Sequence, residues 1–162
     1  MGVAVRPSQS GKLSLPGHVD HGRVERLLGY HLAQASIPTN NIFRTHVGNV
    51  FQLNKLEFTI LMLVSSNIDV TPKRLSVAMN IPSSNLTLFL DRLEGQHLLS
   101  RTRSNEDRRV LHVKLTRSGL ALTKKLDVVA GAMEKELLSH LTMAEQAMLF
   151  ELLRKVAAHR RG

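Results

Sequence analysis

The chain has 162 residues, and 22 Lys and Arg against 13 Asp and Glu give it a net charge of +9 with histidine neutral. That length fits one domain, or a small domain with helical extensions, and 43% hydrophobic content supplies a core, so wholesale disorder is excluded. The charge favours a polyanionic partner (DNA, RNA or an anionic membrane), and the absence of cysteine excludes disulfides, thiolate-bound zinc and thiol redox switching.

Residues 1–21 are rich in Gly, Ser and Pro without periodicity and read as a mobile tail. From Val24 the pattern turns helical, with Leu27, Leu28, His31, Leu32 and Ala35 along one face. Ile42, Phe43, Val47, Val50 and Phe51 continue it beyond Pro38, so either one long helix kinks at that proline, the favoured reading, or two helices meet there. Leu56 to Val64 is a short, apolar helix. Thr71-Pro72 pairs a cap with a proline at the first helical position and opens a helix through Met79, with Leu75 and Ala78 facing inward. After a turn at Asn80–Pro82, a second helix reaches about His97 and buries Leu86, Phe89, Leu90 and Leu93.

Leu98–Thr102 and Val110–Leu115 alternate apolar and polar side chains as paired strands do, around a polar tip at Ser104–Arg109. From Arg101 to Arg117 there are six Lys or Arg against two acids, a composition suited to a phosphate backbone. Thr116 caps a long helix from Arg117 to about Leu141, lined by Leu122, Leu126, Val129, Met133 and Leu137. Thr142-Met-Ala-Glu145 is a capping box for a last helix whose stripe is Leu149, Leu152, Leu153 and Val156. Helix, helix, turn, helix, basic hairpin is the order of a winged helix-turn-helix: a mainly α fold with a two-stranded wing, its lobe spanning residues 54–116.

At three places the residues resemble the MarR family of bacterial transcriptional regulators. These are Thr71-Pro72-Lys73-Arg74-Leu75-Ser76; Ser84-Asn85-Leu86-Thr87 with Leu90-Asp91-Arg92-Leu93-Glu94; and Asp107-Arg108-Arg109 with Val113-Lys114-Leu115-Thr116 and Gly119. The resemblance runs from about Leu56 to Leu126. It implies a homodimer joined by helices from both termini, residues 22–53 and 117–162, which presents two winged helices to a palindrome of double-stranded DNA. It further implies a repressor released by a small molecule. The segment Leu28–Pro38, with Asn85-Leu86-Thr87, is similar to a branch controlling catabolism of plant-derived aromatic acids, some members of which sense hydroxycinnamoyl-CoA thioesters. The effector would then be an aromatic acid or aromatic acyl-CoA.

Within that frame Ser83, Ser84, Asn85 and Thr87 are the short polar side chains that a recognition helix presents to base edges; the plain alternative for Ser83 and Ser84 is to cap the helix, and for Ser83 capping is the favoured role. Leu88 should point outward, to a thymine methyl or to a ligand or interdomain surface. Arg109 at the wing tip suits the minor groove, oriented by Asp107; the plain alternative is a solvated surface pair. Arg101, Arg103, Arg108 and Lys114 contact phosphate or stay solvated. Lys73 and Arg74 are phosphate candidates, and Arg92 either contacts phosphate or braces its helix through an acid.

Tyr30, His31, Ser36, Phe43 and Arg44 are candidates for the effector site, weighed against core roles for Tyr30, His31 and Phe43. His18, Asp20 and His21 are metal-ligand types at close spacing without a third or fourth neighbour, and His46, His97, His112 and His140 are scattered, so no metal and no cofactor is expected. No phosphate-cradling loop, metalloprotease helix or nucleophile elbow is present, and no enzyme activity is expected. A winged helix used for protein or RNA contact is the rival reading. No apolar run reaches the ~18 residues needed to span a bilayer and no secretory signal is seen, so a cytoplasmic protein without a membrane partner is expected by elimination.

Overall fold

A computed structural model of the chain describes residues 21–103 and 109–159. The chain falls into two compact units, residues 1–36 and 37–162. In the first, a 3₁₀ turn at Gly22–Arg26 leads into α1 (Leu28–Phe43), which runs on into the second unit. Pro38 lies inside this helix, so no helix boundary falls at that proline although it cannot donate to the carbonyl of Gln34; the helix begins at Leu28 and not at Val24, because Leu27 is extended at φ −99° and ψ 118°. Beyond Phe43 the helical hydrogen bonding widens to a π turn over Arg44–Gly48 and closes in α2 (Asn49–Phe51), and Gln52 then turns left-handed at φ 56°.

The lobe begins with α3 (Lys55–Ser65). Asn54 accepts from the backbone N–H of Glu57, and the Glu57 carboxylate accepts from the backbone N–H of Asn54, each at 2.9 Å, which completes a capping box. Thr71 caps α4 (Pro72–Met79), as its sequence predicts. The following turn depends on Asn80, whose φ of 52° is tolerated by a short polar side chain, and on a bond from the N–H of Ile81 back to the carbonyl of Ser76 at 3.1 Å. The chain then enters α5 (Ser83–Gly95), which ends two residues short of His97.

Strands β1 (Leu99–Arg103) and β2 (Leu111–Leu115) pair antiparallel, with Leu99 opposite Leu115 and Arg103 opposite Leu111. The N–H of Val113 also donates to the carbonyl of Val70 at 2.8 Å, which fastens the base of the hairpin to the α3–α4 linker. Thr116 caps α6 (Arg117–Leu137) by accepting from Gly119, and Thr142 with Glu145 forms the expected capping box of α7 (Met143–Ala157). The end of α6 falls at Leu137, not near Leu141, because a short turn intervenes before the Thr142 cap.

Ile60, Leu61, Leu86, Leu90, Leu93 and Leu126 are essentially excluded from solvent at the centre of the lobe. The inward expectation for Ala78 fails: it is exposed near the C-terminal end of α4, where it lines the rim of a surface cavity beside Leu75 and does not enter the core. The predicted stripe of α7 is apolar but uncovered in the single chain, with Leu149, Leu152, Leu153 and Val156 between 37% and 51% exposed. Among the described residues no helix is long and apolar enough to cross a membrane. The tail proposed for residues 1–21 lies outside the described residues except for His21.

Candidate nucleic-acid interface

Helix α5 is held by its C-terminal half and open at its N-terminal half. Leu86, Leu90 and Leu93 bury one face, while Ser83, Ser84, Asn85, Thr87 and Leu88 are all exposed. Leu88 points outward as expected, at 69% exposure. Thr87 Oγ1 donates to the carbonyl of Ser83 at 2.9 Å, which leaves its methyl and the remaining acceptor sites of its oxygen facing outward. The capping role weighed for Ser83 is overturned. Pro82 occupies the cap position with φ −58°, and Ser83 is already the first helical residue, its hydroxyl 3.4 Å from that of Ser76. Ser76 Oγ donates instead to the carbonyl of Ile81 at 2.7 Å and tightens the turn between the two helices.

The cations around this helix divide by what they touch. Lys73 and Arg74 are exposed in the first turn of α4, and Arg74 steadies the preceding loop through Nη1 to the carbonyl of Asp69 at 3.0 Å. Arg92 turns inward, its Nε 3.1 Å from the buried Glu57 carboxylate, so of the two roles weighed for it the structure displays the brace. Arg101 is likewise occupied: it bonds Glu94 and Asp91 and does not point freely at a partner. That pairing holds the Glu94 carboxyl below the usual glutamate range, through the side-chain hydrogen bond from Arg101 above all, and raises the guanidinium of Arg101 in turn. Arg103 and Lys114 are exposed on the wing strands, and Arg109 is exposed at the turn that enters β2. Asp107 and Arg108 lie outside the described residues, and with them the proposed Asp107–Arg109 pairing.

The effector candidates divide between the two units. In the first unit the Tyr30 hydroxyl bonds His21 Nδ1, the His31 ring bonds the carbonyl of Glu25 at 2.7 Å, and Ser36 Oγ donates to the carbonyl of Ala33 at 2.7 Å. In the second unit Phe43 is buried and meets Phe58 edge-on with ring centroids 5.6 Å apart, so its ring belongs to the lobe core. Arg44 bonds Asn41 at 3.1 Å on the surface. A shallow cavity of about 170 Å³ in the lobe is lined by Leu63, Asn67, Val70, Arg74, Leu75 and Ala78, none of them an effector candidate. Among the described residues no group of three or more His, Cys, Asp or Glu is placed to hold a metal ion. His18 and Asp20 lie outside the described residues.

Sequence reasoning missed the two acid sets that hold the helix, Glu57 on one side and Asp91 with Glu94 on the other. The second was readable. Alternation along β1 puts Arg101 on the same side as buried Leu99, and three-residue spacing puts Asp91 and Glu94 on one face of α5.

An exposed helix held at one end, a capped helix before it and a basic two-stranded wing after it define a DNA-binding transcriptional regulator of the winged helix-turn-helix class. Residues 53–111 match the model of the MarR family. The multiple antibiotic resistance protein MarR of Escherichia coli is 32% identical over 101 residues, 62% of this chain and 70% of the relative. The solved structure of a transcriptional repressor, CouR, bound to a 23-mer DNA duplex is 31% identical, with a TM-score of 0.78 over 87% of this chain and 99% of that one. A mutant E. coli MarR complexed with operator DNA is 26% identical, with a TM-score of 0.73 over 82% of this chain and 96% of that one. The chain belongs to the MarR family.

Proposed function

We propose that the protein is a homodimeric repressor that holds a pseudo-palindromic operator and releases it when a small aromatic acid or its CoA thioester binds. Each α5 lies in a major groove, where Asn85 pairs with adenine, Ser84 and Thr87 serve bases or phosphates, and Leu88 meets a thymine methyl. Arg109 enters the adjacent minor groove, while Lys73, Arg74 and Arg103 ground the lobe on phosphates. The two half-sites are centred about one helical turn (~10 bp) apart.

One observation carries this reading: the N-terminal turns of α5 expose Ser83, Ser84, Asn85, Thr87 and Leu88, while Leu86, Leu90 and Leu93 on the opposite face fix the helix in the core. DNA-bound relatives of the same fold favour operator binding over the protein- or RNA-contact alternative. Similarity to CouR, described as a transcriptional repressor, supports repression. The aromatic effector rests on the resemblance of Leu28–Pro38 to an aromatic-acid branch, with Tyr30, His31 and Ser36 of that segment as its candidate contacts.

Selection from a random duplex library tests the DNA reading. A recovered palindrome with ~10 bp spacing supports it, and salt-sensitive binding without sequence enrichment overturns it. Thermal-shift screening with aromatic acids and their CoA thioesters tests the effector. A compound that stabilises the protein and dissociates the selected duplex supports the proposal; stabilisation without dissociation marks a site uncoupled from DNA and overturns it.

A further inference from the structure

Leu99, Arg101 and Arg103 lie on one face of β1, and the cross-strand partners Leu115 and Val113 share that face. Leu99 and Val113 are buried, so Arg101 leaves the strand from the side that packs on the lobe, and its guanidinium emerges beside the C-terminal half of α5. There Nε donates to Glu94 Oε2 at 2.9 Å. Nη2 reaches Glu94 Oε2 at 2.5 Å and Asp91 Oδ1 at 2.6 Å, and the backbone N–H of Arg101 donates to Glu94 Oε1 at 3.1 Å. Three quarters of the Arg101 side chain is removed from solvent, with 25% left exposed.

We propose that Arg101 is a positioning residue for DNA recognition: by clamping Glu94 and Asp91 it fixes the wing relative to the recognition helix, so that both reach DNA in one pose. The inference rests on the operator-binding reading of α5 and the wing. A two-stranded hairpin is marginally stable by itself, and its placement depends on what ties it to the lobe. Backbone bonds at Val113 and Thr116 anchor the base of this one. The Arg101 clamp adds a side-chain tie to the recognition helix itself, from the strand that leads to the wing tip. A planar guanidinium can satisfy a backbone-anchored glutamate and an aspartate together, whereas a lysine ammonium would hold either acid as a point charge. The clamp also accounts for two carboxylates on a helix that approaches phosphates: each is matched to a cation within the fold.

The clamp and a direct phosphate contact predict opposite signs for one substitution. Glu94→Gln removes a negative charge from the DNA-binding lobe. If Arg101 contacts phosphate, that change frees and strengthens it, and binding tightens; if Arg101 positions the wing, binding to the selected operator weakens. The experiment is a fluorescence anisotropy titration of wild type, Glu94→Gln, Arg101→Met and the double variant. The probes are a duplex selected by the wild-type protein and a random-sequence duplex, each at several NaCl concentrations.

The clamp predicts at least fivefold weaker binding of the selected duplex by each single variant, and a double variant no weaker than the weaker single. The salt slope for Glu94→Gln stays at the wild-type value, and random-duplex binding is retained, which separates lost positioning from unfolding. Glu94→Gln binding as tightly as wild type or tighter overturns the clamp. So do additive losses, or an Arg101→Met slope lowered by about 0.9 per protomer, the mark of a lost phosphate contact. A wild-type protein that enriches no sequence overturns the operator reading and the clamp with it, whereas enrichment with unchanged Glu94→Gln binding overturns the clamp alone.

Discussion

The Nε of Arg92 lies 3.1 Å from Oε1 of Glu57, a carboxylate with no solvent exposure, and it sits there without hydrogen-bond alignment. The other Glu57 oxygen closes the α3 capping box on Asn54, so one buried acid serves a helix start and the back of the recognition helix together. Arg92 also donates to the carbonyl of Gln52 at 3.4 Å, at the joint where α2 meets α3. Replacing Arg92 leaves a buried charge without its cation. Full burial of both partners would make that loss ~3–5 kcal/mol, but the Arg92 side chain is 54% exposed and water screens part of it. Arg92→Ala should therefore lower stability by about 2 kcal/mol, read as an earlier midpoint in urea unfolding at unchanged slope. An unchanged midpoint would show that the pair contributes nothing.

At the wing, Arg109→Ala should weaken binding to the selected duplex at least tenfold while the far-UV spectrum and unfolding midpoint stay at wild-type values. The residue is exposed at the entry to β2, so little packing is lost with it. A narrow, A·T-rich minor groove concentrates negative potential, and one inserted arginine there is worth more than a cation on an open surface. Equal affinity in a mobility-shift titration would remove Arg109 from the interface.

What the sequence made legible was local. Thr71-Pro72, Thr116 and Thr142 with Glu145 announce helix starts within four residues, and all three act as caps in the structure. Alternation around the wing likewise placed both strands to within a residue at each end. Ser83 misled because serine is a common cap; the proline before it already has the entry conformation, which moves the helix start one position earlier than a serine cap allows. The Glu57–Arg92 pairing was not readable, since it joins different elements and a charged side chain defaults to solvent, whereas strand alternation and helical spacing carried the signal for Arg101 with Asp91 and Glu94. The effector site was the least legible, because Tyr30, His31 and Ser36 are satisfied by groups within ten residues of them in the chain.

Gly119 shows why one small residue must follow the Thr116 cap. A Cβ there would sit 2.0 Å from the carbonyl oxygen of Leu98 and 3.1 Å from the Leu115 side chain. The first contact is with backbone, which a rotamer change cannot relieve. Alanine would gain about 1 kcal/mol in helix propensity, but overpacking a fixed backbone costs ~1–3 kcal/mol, and a contact this close lies at or beyond the upper end. Gly119→Ala should have a net destabilising effect of about 2 kcal/mol, seen as a fall of several degrees in the thermal midpoint. A higher midpoint would mean that α6 can shift away from β1 at little cost.

Acid should loosen the clamp and leave neutral pH alone. The hydrogen bond from Arg101 holds the folded Glu94 carboxyl below the usual range of about 4.3. A depressed folded value means that the stabilisation is fully present above the unfolded value and is lost as pH falls through the folded one. Glu145 behaves alike, held low first by the backbone N–H of Thr142 and then by its hydroxyl. Thermal midpoints of wild type and Glu94→Gln should therefore keep a constant separation between pH 6 and 8 and converge once pH drops below about 4. Parallel curves through the acid range would show that Glu94 titrates as an ordinary surface acid.

The last helix leaves its apolar stripe in search of cover. Leu149, Phe150, Leu152, Leu153 and Val156 are each 37% exposed or more, along a helix whose start is well capped. A contiguous apolar helical face of this kind marks an association surface, and in the proposed homodimer a second copy covers it. A charge there would have to be buried against the partner, or the partner would have to leave. Leu152→Lys should accordingly shift the species in sedimentation velocity from dimer to monomer at micromolar concentration. Operator binding should fall with it, because the two lobes then act singly and each loses the other's contribution to local concentration. The fold of each lobe should survive, since no residue of α7 is buried in the core of the single chain. A variant that remains dimeric, with wild-type operator affinity, would place the dimer contact on some other surface and leave the stripe of α7 unexplained.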